Sequence, residues 1–295
     1  MLQAALRTSW RCPPTVTGAS QAPETWFEPP GPARPGRLRQ PLSQPSAPAG
    51  GPGGPTSTAS ATRPARWANR GAKIVVWPEE GVRTQESQEF AAIAAARAEA
   101  RSSHVYLEIG VRVHSTTAPA YGRNEALLID PCGTVLRTYQ KVHPIPGSER
   151  FTPGDGPVPV VRTPYGRLAN VICYDADFPA LMRTRADIML VPAHDWKEYG
   201  GAHTGKAALA AVEGGYALFR QDAEGVSAAY DAQGQLLATG DYFTTGRQTT
   251  VANVPVRGVT TVYDRIGDAF AWLCLAALAA LTLTAVVRAR RPAGP

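Results

Sequence analysis

The chain has 295 residues, 44% of them hydrophobic, which is enough for one large or two small domains with a sizeable core. Its formal net charge of +6 comes from the two ends, because residues 1–70 hold eight arginines against two glutamates and three more arginines follow position 287. This distribution argues against a nucleic-acid-binding surface, and four cysteines without CxxC or metal-ligand spacing predict neither a zinc site nor a disulfide.

Residues 1–70 have a composition of their own. They are rich in Pro, Gly, Ser, Ala and Arg, and they lack the continuous apolar region of a secretory signal peptide. Such a segment buries too little apolar surface to offset the entropy that is lost on ordering. Residues 1–70 are therefore predicted to be disordered.

From residue 71 onward, strands alternate with helices. The strands of the first half are predicted at 73–78, 105–114, 124–130 and 134–140. An alanine-rich helix over 86–101 follows the first of them, with an apolar face formed by Phe90, Ile93, Ala94 and Ala98. The turn residues at 130–133 make the last three strands an antiparallel meander. The long Pro/Gly-rich loop over 142–157 is expected to border a site.

The second half continues the same alternation. Its predicted strands are 158–161, 168–173, 188–191, 216–221, 226–230 and 235–238. A short helix over 178–183 and an alanine-rich helix over 203–212 lie between them. By itself this pattern predicts an α/β fold and no more.

A cysteine stands where an apolar run gives way to polar residues. Residues 168–172 predict a buried strand, and Cys173 follows at its exit, ahead of Tyr-Asp-Ala-Asp-Phe-Pro. A thiol at such a point is a candidate nucleophile when a neighbouring base or cation activates it. Taken alone, the stretch favours the simpler interpretation that Cys173 is a small buried hydrophobic residue.

Two further strand ends carry the charged groups that such a nucleophile needs. The strand at 73–78 ends in Glu79 and Glu80, and the strand at 134–140 ends in Lys141, with Glu149 in the loop that follows. Acyl transfer needs a base to take the thiol proton, a cation to stabilise the oxyanion, and a nucleophile. The three strand ends together therefore favour a catalytic role for Cys173.

The motifs at these strand ends resemble a known family. They are WPE at 77–79, YQKVHPIPGSE at 139–149 and VICYDADFP at 171–179, followed by VPAHDW, HTGKAALAAVEGG and VYDRIGD further on. In this order they resemble the nitrilase (carbon–nitrogen hydrolase) superfamily, and within it they are similar to apolipoprotein N-acyltransferases. The resemblance implies a nitrilase-like four-layer α-β-β-α sandwich. Two family features are not visible: the membrane helices ahead of the catalytic domain, and the strand–helix unit before the WPE strand.

The resemblance also implies roles for individual residues. Glu79, rather than the adjacent Glu80, matches the WPE glutamate and is the expected general base. Lys141 is expected to stabilise the oxyanion and Cys173 to be the nucleophile. The residues expected to support the site or line its pocket are Glu149, Tyr174, Asp177 and Phe178. Two histidines do not fall where the family places a base and are expected to be structural or pocket-lining: His143 and His203.

By this resemblance the expected activity is the transfer of an acyl chain from phospholipid to the N-terminal cysteine amine of a lipoprotein, through a thioester on Cys173. The expected partners are the phospholipid donor, the lipoprotein acceptor and the membrane, without nucleic acid, metal or organic cofactor. One alternative is a membrane-anchored amidase that passes the acyl group to water. Another is an inactive truncated fragment.

The C-terminal part of the chain predicts a membrane anchor. Residues 269–287 are uncharged and about long enough to cross a hydrocarbon core of roughly 30 Å, and arginines follow them. The positive-inside rule places those arginines in the cytoplasm and the catalytic domain on the extracytoplasmic side of the cell membrane. The expected organisation is a disordered segment (1–70), a catalytic domain (71–267), a transmembrane helix (268–288) and a basic cytoplasmic tail (289–295).

Overall fold

The computed structural model describes the backbone of residues 36–39 and residues 68, 71–116, 122–245 and 249–289. Its strands are β1 Gly36–Arg39, β2 Ile74–Val76, β3 Val82–Gln85, β4 Tyr106–His114, β5 Arg123–Ile129, β6 Val135–Gln140, β7 Val160–Thr163, β8 Gly166–Asn170, β9 Ile188–Ala193, β10 Ala217–Asp222, β11 Val226–Tyr230, β12 Leu236–Asp241 and β13 Val251–Val254. Its α-helices are α1 Glu89–Ser103, α2 Pro179–Met182, α3 Gly200–Gly214, α4 Tyr242–Thr245, α5 Val262–Ile266 and α6 Ala269–Ala289. Short 3₁₀ helices occupy Glu86–Gln88 and Cys173–Asp177.

The strands form two mixed sheets. The first has the order β13-β1-β2-β4-β5-β6, with β3 pairing to β4, and β4-β5-β6 is the predicted antiparallel meander. The second has the order β12-β11-β10-β9-β8-β7, with β8, β9 and β10 parallel to one another and antiparallel hairpins on both sides. The parallel strands are buried along most of their length, as expected for strands covered on both faces.

Three apolar clusters show how the layers stack. One joins the facing sides of the two sheets, with Ile74 and Leu128 on one side and Leu190 and Phe219 on the other. A second packs α1 against the outer face of the first sheet, and a third packs α3 against the outer face of the second. The order of layers is therefore helix, sheet, sheet, helix, which confirms the four-layer α-β-β-α sandwich.

Local chemistry fixes the ends of the helices. Both long helices of the sandwich end at a residue in the left-handed region, His104 after α1 and Gly215 after α3. Thr261 caps the N-terminus of α5, because its side chain accepts a hydrogen bond from the backbone N–H of Asp264 at 2.9 Å. This cap fixes the short helix directly ahead of α6.

Some expectations need correction. The buried face of α1 contains Ala96, Ala100 and Ser103, whereas Phe90 is 83% exposed, because an alanine-rich helix gives little periodic contrast. Strand β1 lies within the segment predicted to be disordered and pairs with β2 and β13, a contact that local composition does not reveal. Apart from β1 and residue 68, residues 1–70 lie outside the described part of the chain.

The expectation of no disulfide was also wrong. Cys132 is disulfide-bonded, whereas Cys173 and Cys274 are free. Spacing along the chain does not show which cysteines meet in space. Cys132 therefore takes no part in the site described below.

One helix of the described chain is long and apolar enough to span a membrane, α6. None of its side chains is buried against the rest of the protein. It ends one residue beyond the predicted boundary, at Ala289, and residues 290–295 of the predicted basic tail are outside the described part.

Candidate active site

The three predicted strand ends meet in the folded chain. Glu79 follows β2, Lys141 follows β6 in the same sheet, and Cys173 opens the 3₁₀ helix after β8 in the other sheet. All three residues are almost completely buried, with 2%, 0% and 1% of their surface exposed. An acid, an amine and a thiol from distant parts of the sequence thus share one buried site.

Glu79 and Lys141 form a direct ion pair. The Lys141 ammonium donates to Oε1 of Glu79 at 2.8 Å and to Oε1 of Glu149 at 2.8 Å. Asn124 also donates to Oε1 of Glu79, at 2.6 Å, so Oε2 of Glu79 has no hydrogen bond within the described chain. That free oxygen is the part of Glu79 available to take a proton.

The structure separates Glu79 from its neighbour Glu80. The Glu80 carboxylate turns away to pair with Arg112 at 2.7 Å and Arg83 at 3.0 Å. The backbone of Glu80 has a positive φ of 55°, which reverses the chain direction directly after Glu79. Glu79 is therefore the carboxylate that meets Lys141, as the sequence favoured.

The charges around Lys141 keep it protonated. Burial by itself would lower the pKa of Lys141, but Glu79, Cys173 and Glu149 outweigh burial and hold that pKa above its ordinary value. Burial and the nearby Glu79 raise the pKa of Glu149, although Lys141 opposes them. The site therefore presents a fixed ammonium group at neutral pH.

Cys173 occupies a strained turn. Its backbone φ is +47°, a region that non-glycine residues seldom adopt and that costs on the order of 1–3 kcal/mol. The predicted strand ends at Asn170, three residues before the thiol, so Cys173 lies in the turn rather than on the strand. The surrounding structure holds Cys173 in this conformation at the first position of the 3₁₀ helix.

The resting thiol is protonated. Burial raises the pKa of the Cys173 thiol well above its ordinary value and Glu79 raises it further, whereas Lys141 and Arg220 lower it. The acceptors close to Sγ are Asp195 Oδ1 at 3.6 Å and the His194 carbonyl oxygen at 3.8 Å. Reaction at this cysteine therefore requires a base.

Asp175 is a site residue that the sequence analysis missed. Its buried carboxylate accepts hydrogen bonds from the Tyr139 hydroxyl at 2.9 Å and from the backbone N–H groups of Val142 and His143 at 3.1 and 2.7 Å. These bonds tie the turn that carries Cys173 to the segment on either side of Lys141. The sequence signal that could have identified Asp175 was its position two residues after Cys173.

A second missed group lies behind the thiol. Arg220, fully buried on β10, donates to Oδ2 of Asp195 at 2.7 Å and to the Cys173 carbonyl oxygen at 3.4 Å. His203 contacts the other oxygen of Asp195 through Nδ1 at 2.8 Å. Burial opposes ionisation of Asp195, but Arg220 and His203 outweigh it and lower the pKa of Asp195. Asp195 is therefore a weak base, although its Oδ1 lies 3.6 Å from the thiol sulfur.

The other predicted residues lie around the same turn. Phe178 stacks on the His143 ring with centroids 3.5 Å apart, and Tyr174 meets Phe178 edge-on at 5.2 Å. Asp177 pairs with Lys206 at 2.7 Å and lies 3.9 Å from Nε2 of His203. The three predicted residues after the thiol thus lie in one turn, where His143 contacts Phe178 and His203 contacts Tyr174 and Asp177.

A cavity of about 410 Å³ lies beside this site and not within it. The residues that line it are Lys197, Gly200, Gly225, Val226, Asp241, Phe243 and Thr244. Within the described residues, no group of three or more His, Cys, Asp or Glu side chains is placed to hold a metal ion.

Known proteins are similar to this chain in sequence. Among curated proteins, a formamidase of Pseudomonas syringae pv. syringae is 38% identical over 86 residues, which is 25% of each chain. An apolipoprotein N-acyltransferase of Geobacter metallireducens is 27% identical over 194 residues, 56% of this chain and 36% of that protein. The alignments thus span between a quarter and a half of these relatives' length.

Solved structures share the fold. An amidase from Nesterenkonia sp. AN1 superposes with a TM-score of 0.63 at 23% identity, over 79% of this chain and 96% of that one. One structure of a mutant of that amidase carries the acetamide moiety of fluoroacetamide added covalently at its active-site cysteine. The sequence profile of the carbon-nitrogen hydrolases matches residues 57–263, more than half of the chain. The protein is therefore a member of the carbon-nitrogen hydrolase family, the nitrilase superfamily.

Proposed function

We propose that the protein transfers acyl groups through a thioester on Cys173. The observation that carries this proposal is the buried arrangement of Glu79, Lys141 and Cys173, in which one carboxylate oxygen is bound by the ammonium group and the other is free. The three groups supply a base, an oxyanion-stabilising cation and a nucleophile.

Each group has a step in the proposed reaction. Glu79 takes the thiol proton as the sulfur of Cys173 attacks the acyl carbon, and the Lys141 ammonium stabilises the oxyanion that forms. The intermediate collapses to the thioester, and Glu79 returns the proton to the leaving group. An acceptor then attacks the thioester carbon, Glu79 removes its proton, and the thiolate leaves and is reprotonated.

The finer proposal is an apolipoprotein N-acyltransferase-like reaction. The donor is a phospholipid acyl ester and the acceptor is the N-terminal cysteine amine of a lipoprotein. Two features favour it: the likeness to apolipoprotein N-acyltransferases of Geobacter metallireducens and Caulobacter vibrioides, and an apolar helix directly after the family domain. We place the domain on the extracytoplasmic side of the cell membrane, because the arginines at the far end of α6 favour the cytoplasm.

A second candidate is an amidase that passes the acyl group to water. The formamidase relatives and the amidase structures favour it, and its first half-reaction would use the same three residues. The two candidates differ in the acyl donor, which is a phospholipid ester or an amide, and in the acceptor that attacks the thioester, which is an amine or water.

The first experiment is intact-protein mass spectrometry. The detergent-solubilised chain is incubated with phospholipid, beside Cys173→Ala as the matched control. We expect an added acyl mass that hydroxylamine removes and that the control never shows. A folded sample without any adduct would contradict the lipid-dependent proposal and leave the amidase or an inactive fragment.

A second experiment separates transfer from hydrolysis. The acylated protein is isolated and offered a lipidated peptide with a free N-terminal cysteine amine, or buffer alone. Faster loss of the adduct with the peptide, together with N-acylated peptide as product, supports the acyltransferase. If the adduct is lost at the same rate with peptide and with buffer, and free fatty acid is the product in both samples, the result supports hydrolysis.

A further inference from the structure

Exposed arginines surround the point where the folded domain meets α6. Arg183 and Arg185 follow α2, and Arg257 and Arg265 lie before and within α5. The Arg183 guanidinium lies over the Tyr263 ring, 5.5 Å from its centroid, so the segment after α2 contacts α5 directly. All four arginines are exposed.

The contacts of two glycines bring this cluster to the start of α6. Gly267, two residues before α6, is buried so closely under Arg183 that a Cβ there would lie 2.6 Å from the guanidinium Nη2. Gly258 packs against the carbonyl oxygen of Ala186 and donates its N–H to Asp187 at 3.0 Å. Arg257 and Arg185 directly precede Gly258 and Ala186, so the two segments that carry these arginines are in contact.

This surface carries more exposed positive than negative charge. Within the described chain, none of the four arginines has a carboxylate oxygen within 4.0 Å. Four carboxylates lie near them. Glu213 and Asp264 are only partly exposed, and Asp187 is paired with Arg167 at 2.9 Å. The fourth, Asp268, is exposed and accepts a hydrogen bond from the Tyr263 hydroxyl at 2.9 Å.

Apolar side chains lie among the arginines. Val259, Val262 and Ile266 are 47%, 72% and 53% exposed, although they belong to the folded domain rather than to α6. A segment that lies in a membrane interface combines exposed apolar side chains with cationic ones. The apolar groups enter the boundary between head groups and acyl chains, and the cations meet the phosphates. We name these seven residues the juxtamembrane face: Arg183, Arg185, Arg257, Val259, Val262, Arg265 and Ile266.

We propose that the juxtamembrane face docks on the phosphate groups of anionic phospholipids and holds the catalytic domain against the bilayer. Because α6 begins at Ala269, Arg265 and Ile266 lie within one helical turn's length of chain from the segment that is proposed to span the membrane, and Arg183 contacts Gly267 in the same stretch. The inference rests on that span, which belongs to the proposed function. It adds to the proposed function a class of lipid, because the docked arrangement depends on phospholipids with negatively charged head groups.

The test uses the full chain reconstituted in vesicles of phosphatidylcholine, alone or mixed with phosphatidylglycerol. Hydrogen exchange is followed by mass spectrometry for the peptides that cover residues 257–267. We expect slower exchange on the mixed vesicles, by about 5-fold for each arginine engaged, and loss of this difference at high salt. Equal exchange on both kinds of vesicle would overturn the proposal.

A pair of double variants provides the matched comparison. Arg257→Gln with Arg265→Gln removes two charges from the juxtamembrane face, and Lys73→Gln with Arg101→Gln removes two exposed charges elsewhere. We expect the first pair to lose the lipid-dependent protection and the second to keep it. Protection that both double variants retain would contradict the assignment of these arginines.

Two outcomes distinguish a failure of the docking proposal from a failure of the proposed acyl transfer. Release of the chain from vesicles by alkaline carbonate would remove the proposed span and overturn the docking proposal, whatever the thioester assay shows. Absence of the Cys173 thioester, with lipid-dependent protection intact, would contradict the proposed function and leave the docking surface in place.

Discussion

Two opposite charges act on the Cys173 thiol, which gives a test at the scale of single residues. Glu79 raises the pKa of this thiol and Lys141 lowers it, on top of the increase that burial causes. We therefore expect Glu79→Gln to lower the thiol pKa and Lys141→Met to raise it. The measurement is the pH dependence of Cys173 alkylation by iodoacetamide, followed by mass spectrometry.

The same pair of variants distinguishes reactivity from catalysis. Glu79→Gln is expected to alkylate faster at neutral pH and yet to form no thioester, because the base that accepts the proton is gone. If the two variants moved the thiol pKa in the same direction, the assigned roles would be wrong.

The Arg220–Asp195 pair behind the thiol is fully buried, so its loss should be costly. Asp195→Ala would remove the 2.7 Å ion pair of the buried Arg220 guanidinium and leave it only the longer contact to Asp222 at 3.8 Å. Breaking a buried ion pair by removing one partner costs about 3–5 kcal/mol of unfolding free energy. Chemical denaturation measures the loss. Arg83→Ala, which removes a pair to Glu80 from a largely exposed arginine, is the control and should cost less than about 1 kcal/mol. Equal losses would show that the buried pair has no special role.

At the scale of elements, a glycine in β4 sets the position of Glu79. A Cβ on Gly110 would lie 2.3 Å from the Pro78 carbonyl oxygen and 2.7 Å from the Glu79 Cα, so only glycine lets β4 pass this close. We expect Gly110→Ala to cost about 1–3 kcal/mol in stability. Displacement of Glu79 by even about 1 Å should slow thioester formation by roughly 100-fold.

Gly205→Ala is the matched control for this change. Gly205 lies on the exposed side of α3, and nothing lies within 4 Å of the added Cβ. Alanine there should stabilise the helix by up to about 1 kcal/mol and leave thioester formation unchanged. A Gly110→Ala variant that behaves like this control would contradict the role assigned to Gly110.

At the scale of the whole molecule, α6 should fix the chain in a membrane. Leu278 lies near the middle of this helix and is 61% exposed. Arginine at the centre of a spanning helix opposes insertion by about 2.5–3.5 kcal/mol, so Leu278→Arg should make the expressed chain extractable by alkaline carbonate. Leu278→Ala should remain in the membrane pellet. Extraction of the wild-type chain would contradict the span.

The sequence by itself determined what depends on local order along the chain. Alternating apolar runs defined most of the strands, and strand ends at Glu79, Lys141 and Cys173 carried residue types that fit acyl transfer. The uncharged run before the final arginines defined α6. These features are local because periodicity, turn residues and apolar length are properties of neighbouring positions.

Only the tertiary structure decided which distant groups meet. It shows by the direction of each carboxylate that Glu79 and not Glu80 meets Lys141, and it brings Asp195 to Cys173 and Tyr139 to Asp175. The sequence analysis did not anticipate the pairing of β1 with β2 or the disulfide at Cys132 either. Contacts between residues far apart in sequence depend on packing and on the pairing of buried charges, and no short stretch of sequence records them.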